Sequence, residues 1–161
     1  MAEPIKMTIG ASIALNEVLT KILYLDPEAE KPTERDLPLN VKYKLQKNKG
    51  LFEKDYIFFE QERNNLIKKY GKETDGVIKV EDDKLEEYKK AVLDIIKFEV
   101  EHEIAKLKPS DVEDIDVKGI TADEVTLFMR ALVDDPTFEK DLNTPITLPK
   151  EEEKKEEDKK D

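Results

Sequence analysis

The chain has 161 residues, and its 39 Asp and Glu against 28 Lys and Arg give a formal net charge of −11. This length fits one domain with a core of its own and is too short for two domains of ordinary size. The acidity disfavours direct binding to nucleic acid, because phosphate contacts need a surplus of Lys and Arg. The chain has no cysteine, which excludes disulfides and thiolate chemistry.

The first third of the chain predicts a short strand, a helix and a loop. Apolar residues alternate with polar or small ones over residues 5–9, which is typical of a strand. From about residue 11 to about residue 25 the spacing is helical. The apolar face of this helix consists of Ala11, Leu15, Val18, Leu19 and Ile22. Three prolines among charged residues then indicate a surface loop over residues 26–38.

A long helix is predicted from just after Pro38 to Tyr70. Its apolar residues at seven-residue spacing, typical of coiled coils and helical hairpins, are Leu45, Phe52, Phe59 and Leu66. The companion positions are Lys49, Tyr56, Arg63 and Tyr70. These are too polar for a zipper seam, so packing within one domain is the preferred interpretation. Gly50 costs roughly 1 kcal/mol inside a helix, and a kink or a division into two helices at Gly50 stays an open alternative.

A turn, a strand and a third helix are predicted next. Gly71 is a suitable helix stop, and a Thr-Asp-Gly turn leads to the β-branched run Val77–Val80, which is predicted to be a strand. Asp82 or Asp83 is placed to cap the third helix. The apolar positions of that helix are Leu85, Tyr88, Val92, Ile95 and Ile96.

Residues 98–107 alternate between two kinds of side chain. One side carries Phe98, Val100, His102 and Ile104, and the other carries Glu99, Glu101 and Glu103. This period of two predicts a strand that pairs with Val77–Val80 and also with residues 5–9, with its apolar side chains buried and its glutamates exposed. A helix that continues from residue 83 stays open as the alternative, because Glu and Ala favour helix.

The C-terminal part begins with a well-marked helix. Thr121 and Glu124 form a capping box, with Ile120 and Val125 placed as its hydrophobic staple, and the helix is predicted to end before Asp135. Residues 136–149 contain three prolines and few apolar residues, which indicates an arm. Residues 150–161 consist of five Lys and seven Asp or Glu, which indicates a disordered tail.

These elements predict an α+β fold that is mostly helical. A long central helix packs with two or three others, and a small antiparallel sheet of two or three strands lies at one end. Residues 1–135 form a single globular domain, residues 136–149 the arm, and residues 150–161 the charged tail.

The residues give little support for catalysis, a metal or a cofactor. The one histidine, His102, lies on the apolar side of its predicted strand, as a core or interface residue does. Without cysteine, the usual transition-metal ligand sets are incomplete. Asp111 and the acids that follow it lack the glycine and the final glutamate of a calcium loop, and a structural calcium site there stays an open alternative. We expect no enzyme activity and no cofactor.

Two stretches resemble one protein family. PLNVKYKLQKN at residues 38–48 and FEQERNNLIKKYG at residues 59–71 are similar to an uncharacterised family of small proteins from tailed phages and prophages of low-GC Gram-positive hosts. The resemblance covers about residues 12–133 and carries no catalytic residue across. It implies phage origin, with action in the cytoplasm of an infected bacterium or within a virion.

The function expected from these features is protein–protein binding, as a virion or tail component or an assembly accessory. The alternative is an anti-CRISPR-like counter-defence inhibitor that places an acidic surface in a nucleic-acid groove. The expected contact surfaces are the exposed side of helix 41–70 and the arm, whose apolar residues are Phe138, Leu142, Ile146 and Leu148. No membrane partner is expected, because no apolar run approaches roughly 18 residues and residues 1–4 lack a signal-peptide pattern.

Overall fold

The computed structural model describes residues 4–135 and 145–148. Its strands are β1 (Pro4–Thr8), β2 (Gly71–Thr74), β3 (Val77–Val80) and β4 (Glu99–Glu103). Its helices are α1 (Ile9–Leu23), α2 (Leu39–Tyr70), α3 (Leu85–Ile96), α4 (Pro109–Val112) and α5 (Ala122–Leu132). The mostly helical α+β fold with a long central helix is therefore confirmed. Within the described ranges, no helix is both long and apolar enough to cross a membrane.

The core lies where α1 packs against the first half of α2 and against α5. α1 begins where the Thr8 hydroxyl accepts a hydrogen bond from the Ala11 amide at 3.2 Å, and its predicted apolar face is buried throughout. The core side chains from the other two helices are Val41, Leu45, Phe52, Leu127, Phe128 and Leu132. One continuous apolar cluster therefore holds these three helices together.

α2 is one uninterrupted helix of 32 residues, so it is about 48 Å long at 1.5 Å per residue. Its fully buried residues, Val41, Leu45, Asn48 and Phe52, all lie in its first half. α2 also packs against α3 and against the β2–β3 hairpin, which follows the C-terminal end of α2 directly. None of the twelve residues described in α3 is fully buried, so this end of the molecule is much less enclosed than the core.

The strands form two separate antiparallel sheets, β1 with β4 and β2 with β3. The strand prediction for residues 98–107 is confirmed over Glu99–Glu103, and its pairing with residues 5–9 is also confirmed, with Pro4 opposite Glu103 and Thr8 opposite Glu99. The predicted pairing with Val77–Val80 is wrong. α2 carries the β2–β3 hairpin roughly 28 Å along its axis from Phe52, out of reach of the other sheet.

Two local predictions around β4 and α3 are also wrong. Phe98 is exposed because it lies in the turn before the strand, where its amide donates to the Ile95 carbonyl at 3.1 Å. Asp82 and Asp83 do not cap α3 with their side chains but form a short 3₁₀ turn that leads into it. The three glutamates of β4 are exposed and Val100 is partly buried, as the alternation predicted.

The predicted start of α5 is confirmed. The Glu124 amide donates to Thr121 Oγ1 at 3.2 Å, and the Thr121 amide donates to Glu124 Oε1 at 3.2 Å, so the capping box is complete. The ammonium of Lys21 donates to both oxygens of Glu124 at 3.0 Å. Glu124, a member of the capping box, therefore also joins α5 to α1.

Replacing Gly50 with alanine should stabilise the protein. Gly50 is exposed within a continuous helix, and a Cβ built there meets nothing within 4 Å. Alanine removes the entropic cost of glycine, so we expect the free energy of unfolding in urea to rise by about 0.5–1 kcal/mol. Gly71→Ala is the matched control. Its Cβ would lie 2.3 Å from the Ile67 carbonyl oxygen, so Gly71→Ala should destabilise the protein. A loss of stability from Gly50→Ala would contradict a regular helix at Gly50.

Candidate functional site

A cluster of three polar side chains joins α1, α2 and β4. The Ser12 hydroxyl donates to Asp55 Oδ2 at 2.6 Å, and His102 Nε2 lies 2.6 Å from the same oxygen. The His102 ring meets Phe52 edge to face, with centroids 5.8 Å apart. The side chains of His102 and Asp55 are only 13% and 15% exposed. The prediction that His102 is a core or interface residue is therefore confirmed.

The residue types of this cluster match a nucleophile–histidine–acid triad, but their arrangement does not. In such a triad the histidine stands between the hydroxyl and the carboxylate, whereas here Asp55 stands between Ser12 and His102. The Ser12 hydroxyl has no base to activate it other than a carboxylate, and its side chain is 0% exposed. The cluster therefore serves to hold three elements together.

The Asp55 carboxylate is held in its ionised form by its partners. Burial alone would raise the pKa of Asp55, but the hydrogen bonds from His102 and Ser12 and the charge of His102 together lower the pKa below its ordinary value. Because the ionised carboxylate only accepts, His102 Nε2 donates the proton in their hydrogen bond.

Asn48 joins α2 to the chain just after β4. Its amide nitrogen donates to the Ala105 carbonyl at 2.9 Å, and its oxygen accepts from the Ala105 amide at 2.8 Å. Asn48 is fully buried, so both backbone groups of Ala105 are satisfied by one side chain. Asn48 and Asp55 thus act as two polar anchors, seven residues apart, on the same side of α2.

The sequence interpretation missed both anchors because it searched the α2 stripe for apolar residues. The buried side of α2 follows three- and four-residue steps through Val41, Leu45, Asn48, Phe52 and Asp55. The sequence did contain a signal, because Asn48 and Asp55 are polar residues at the spacing of core positions. Polar residues at such positions specify a packing partner at some cost in stability. The companion positions chosen from the sequence, Lys49 and Tyr56, each lie one residue after the anchors Asn48 and Asp55.

The middle of α2 carries a run of four large apolar residues, Tyr56, Ile57, Phe58 and Phe59, here called the α2 band. Consecutive residues on a helix point in directions about 100° apart, so neighbouring elements bury only part of the band. Tyr56, Ile57 and Phe58 are 41%, 50% and 46% exposed. Runs of exposed apolar residues are unfavourable on a surface that meets only water, and they mark binding sites.

An open cleft lies beside Tyr56, between the outer side of α1 and the loop after it. The cleft has a volume of about 400 Å³. Its lining is mixed, with Ile13, Asn16, Glu17, Thr20, Lys21, Pro27, Glu28 and Tyr56. Tyr56 belongs to both features, so the cleft adjoins the band at this residue.

A second cleft, of about 100 Å³, lies between α1, α5 and the segment after α4. Its lining is entirely apolar, with Val18, Ile22, Val112, Ile115, Val117, Ile120, Val125, Phe128 and Met129. Ligand sites combine an apolar wall with a few polar groups that fix orientation. This lining offers no such side chain, so it contains nothing that would orient a polar ligand.

The four apolar residues of the arm that were predicted as contacts do not share one environment. Phe138 and Leu142 lie outside the described residues. Leu148 is 40% exposed and stays a predicted contact. The expected exposure of Ile146 is wrong, because its side chain is 6% exposed in the core and its backbone pairs with β1. We therefore expect that replacing Ile146 with serine destabilises the fold.

The acids near Asp111 satisfy backbone groups of their own chain. Asp111 Oδ2 accepts the Lys108 amide at 2.9 Å, and Asp116 Oδ1 accepts the Lys118 amide at 2.9 Å. Asp116 Oδ2 also lies 3.5 Å from the Arg35 guanidinium. Among residues 4–135 and 145–148, no group of three or more His, Cys, Asp and Glu is placed to hold a metal ion.

Comparisons with protein-family models, curated proteins and solved structures gave no match to this chain.

Replacing Asn48 with alanine should destabilise the protein, because it leaves the partly buried Ala105 amide and carbonyl without the partner that binds both. Each unsatisfied buried group costs roughly 1–3 kcal/mol, so we expect the free energy of unfolding in urea to fall by about 2–4 kcal/mol. Asn64→Ala is the matched control, since Asn64 is exposed on the same helix. Equal stability of the two variants would show that the Asn48 anchor contributes nothing.

Replacing Asp55 with asparagine should change how stability depends on pH. The lowered pKa of Asp55 means that the unfolded chain, with an ordinary value of about 4, takes up this proton first as pH falls. The wild type therefore loses the contribution of Asp55 as pH falls from about 5 through the folded-state pKa.

We expect Asp55→Asn to be less stable at pH 7 and to decline less steeply below pH 5, as measured by urea unfolding at each pH. Asp94→Asn, an exposed carboxylate on α3, should keep the wild-type slope. Parallel curves for the wild type and Asp55→Asn would contradict this role for Asp55.

Proposed function

We propose that the protein is a non-enzymatic binding module whose α2 band contacts another protein. The observation that carries this proposal is the run of residues 56–59, in which three consecutive large apolar side chains are each more than 40% exposed. Burying such side chains against a partner yields roughly 25 cal/mol per Å² of apolar surface. The cleft that adjoins the band at Tyr56 supplies the concave and polar part that interfaces also need.

The arrangement of the polar cluster supports binding over catalysis. The chain's one histidine is hydrogen-bonded to Asp55, and the hydroxyl in the same cluster is fully buried. Catalysis would require a nucleophile and a base that a substrate reaches together. In this cluster the residues suited to those roles face each other inside the fold.

The resemblance of residues 38–48 and 59–71 to phage proteins supports a phage setting for this binding. We propose a virion or tail component, or an assembly accessory, that acts in the cytoplasm of an infected bacterium or in the particle. The α2 band lies between the two stretches and shares only Phe59 with the second.

A counter-defence inhibitor is the second candidate. The exposed carboxylates of Glu99, Glu101 and Glu103 on one side of β4 favour it, because a row of acids is what a basic nucleic-acid groove accepts. The phage genes beside this one would discriminate between the two candidates. Capsid and tail genes would support assembly, and early regulatory genes would support counter-defence.

The double variant Ile57→Gln/Phe58→Gln should lose partner binding while it keeps its fold. Both side chains are exposed and glutamine favours helix, so we expect an unchanged thermal midpoint. A partner recovered from phage-infected cells with the wild type would be identified, purified and titrated against both proteins. We expect at least tenfold weaker affinity for the variant, equivalent to about 1.4 kcal/mol.

Leu39→Gln is the matched control, because Leu39 is exposed on the same helix but far from the band. It should bind as the wild type does. Equal affinity of the double variant and the wild type would refute the α2 band as the contact. A different outcome is that the wild type sediments as a dimer and the double variant as a monomer. The band would then join two copies of this chain, and the proposal of a different partner would be refuted.

A further inference from the structure

The hydrogen bonds of the β1–β4 sheet leave the outer edge of β4 open. The Ile9 amide donates to the Phe98 carbonyl, and Ile146 bonds to Lys6 and Thr8 from the opposite side of β1. Because antiparallel pairs alternate between bonded and non-bonded positions, Val100 and His102 direct their backbone groups at β1. The amides and carbonyls of Glu99, Glu101 and Glu103 therefore point away from the sheet.

These outward groups have no partner in the described part of the chain. No hydrogen bond joins the backbone of Glu99, Glu101 or Glu103 to any described residue outside the strand pair. The next residue in the same alternation is Ala105, whose two backbone groups are closed by the buried Asn48. The fold thus closes this edge at one end and leaves three residues of it free.

The charge beside this edge limits what can pair with it. The glutamate side chains lie together on one exposed side of the strand, since alternate residues share a side. A second copy of β4 would place three glutamates opposite three glutamates, and like charges directly opposite each other are destabilising. Lys6 lies 4.0 Å from Glu101, but both side chains are about half exposed, so this pair is weak.

We propose that the outer edge of β4 binds an extended segment of a partner protein that carries Lys or Arg at alternate positions. Such a segment adds a strand to the sheet, with its backbone bonded to the three free residues and its basic side chains opposite the three glutamates. The α2 band takes no part in these contacts, so this proposal stands or falls independently of the proposed function.

The probe is a seven-residue peptide with Lys at alternate positions and Val or Thr between them. We expect its binding to protect the amides of Glu99, Glu101 and Glu103 from hydrogen exchange, measured by NMR. The amides of Val100 and His102 should change little, because β1 already pairs with them. Two control peptides, one with Glu in place of Lys and one with a central Pro, should bind at least tenfold more weakly.

Glu101→Pro is the decisive variant. Proline removes an outward amide that the sheet does not use, and edge strands accept it at such positions, so we expect the thermal midpoint to change little. The Lys peptide should bind this variant at least tenfold more weakly. The Ile57→Gln/Phe58→Gln protein should bind the peptide as the wild type does.

Charge reversal supplies a test that does not depend on proline. The triple variant Glu99→Lys/Glu101→Lys/Glu103→Lys should bind the Glu peptide and reject the Lys peptide. Equal binding of the Lys peptide and its Pro-interrupted form would overturn the proposal, because attraction between charges would then explain the binding without an added strand. Absence of binding by the Lys peptide at 1 mM, or amide protection away from β4, would overturn it as well.

Discussion

The length of α2 is the constraint on which the rest of the structure depends. One continuous helix of 32 residues spans about 48 Å, whereas a compact domain of this size has a radius of gyration of only about 15 Å. The core therefore encloses the first half of α2, and the second half needs other neighbours. The β2–β3 hairpin and α3 meet that need by packing against it, which separates the two sheets.

The elements that depend on local sequence were predicted well. The helical face of α1, the continuous run to Tyr70, the capping box at Thr121 and the alternation of β4 all follow from spacing and from nearby hydrogen bonds. The predicted pairing of β4 with residues 5–9 was right and that with Val77–Val80 was wrong. Strand pairing depends on how far apart two segments lie in the folded chain. Nothing within Val77–Val80 indicates how far α2 carries those residues from β4.

The candidate sites were predicted less well, for two physical reasons. Asn48 and Asp55 are polar, and their importance comes from partners at Ala105, Ser12 and His102 that are distant in sequence. Ile146 was predicted to be exposed because its segment is rich in proline, but β1 pairs with its backbone on the edge away from β4 and its side chain lies in the core. The exposed side of α2 stays a predicted contact surface, and Tyr56, Ile57 and Phe58 of the α2 band are exposed there.

The two proposed surfaces differ in how the fold protects them from unwanted association. The free edge of β4 is flanked by three glutamates, so two copies repel each other there, as charged edge strands in soluble proteins commonly do. The α2 band has no comparable row of like charge, because Lys54, Glu60 and Gln61 beside it are of mixed character. Apolar contact is also less selective than strand pairing in which side chains of opposite charge face each other. The β4 edge is therefore suited to choosing a partner, and the α2 band to contributing the larger share of the binding energy.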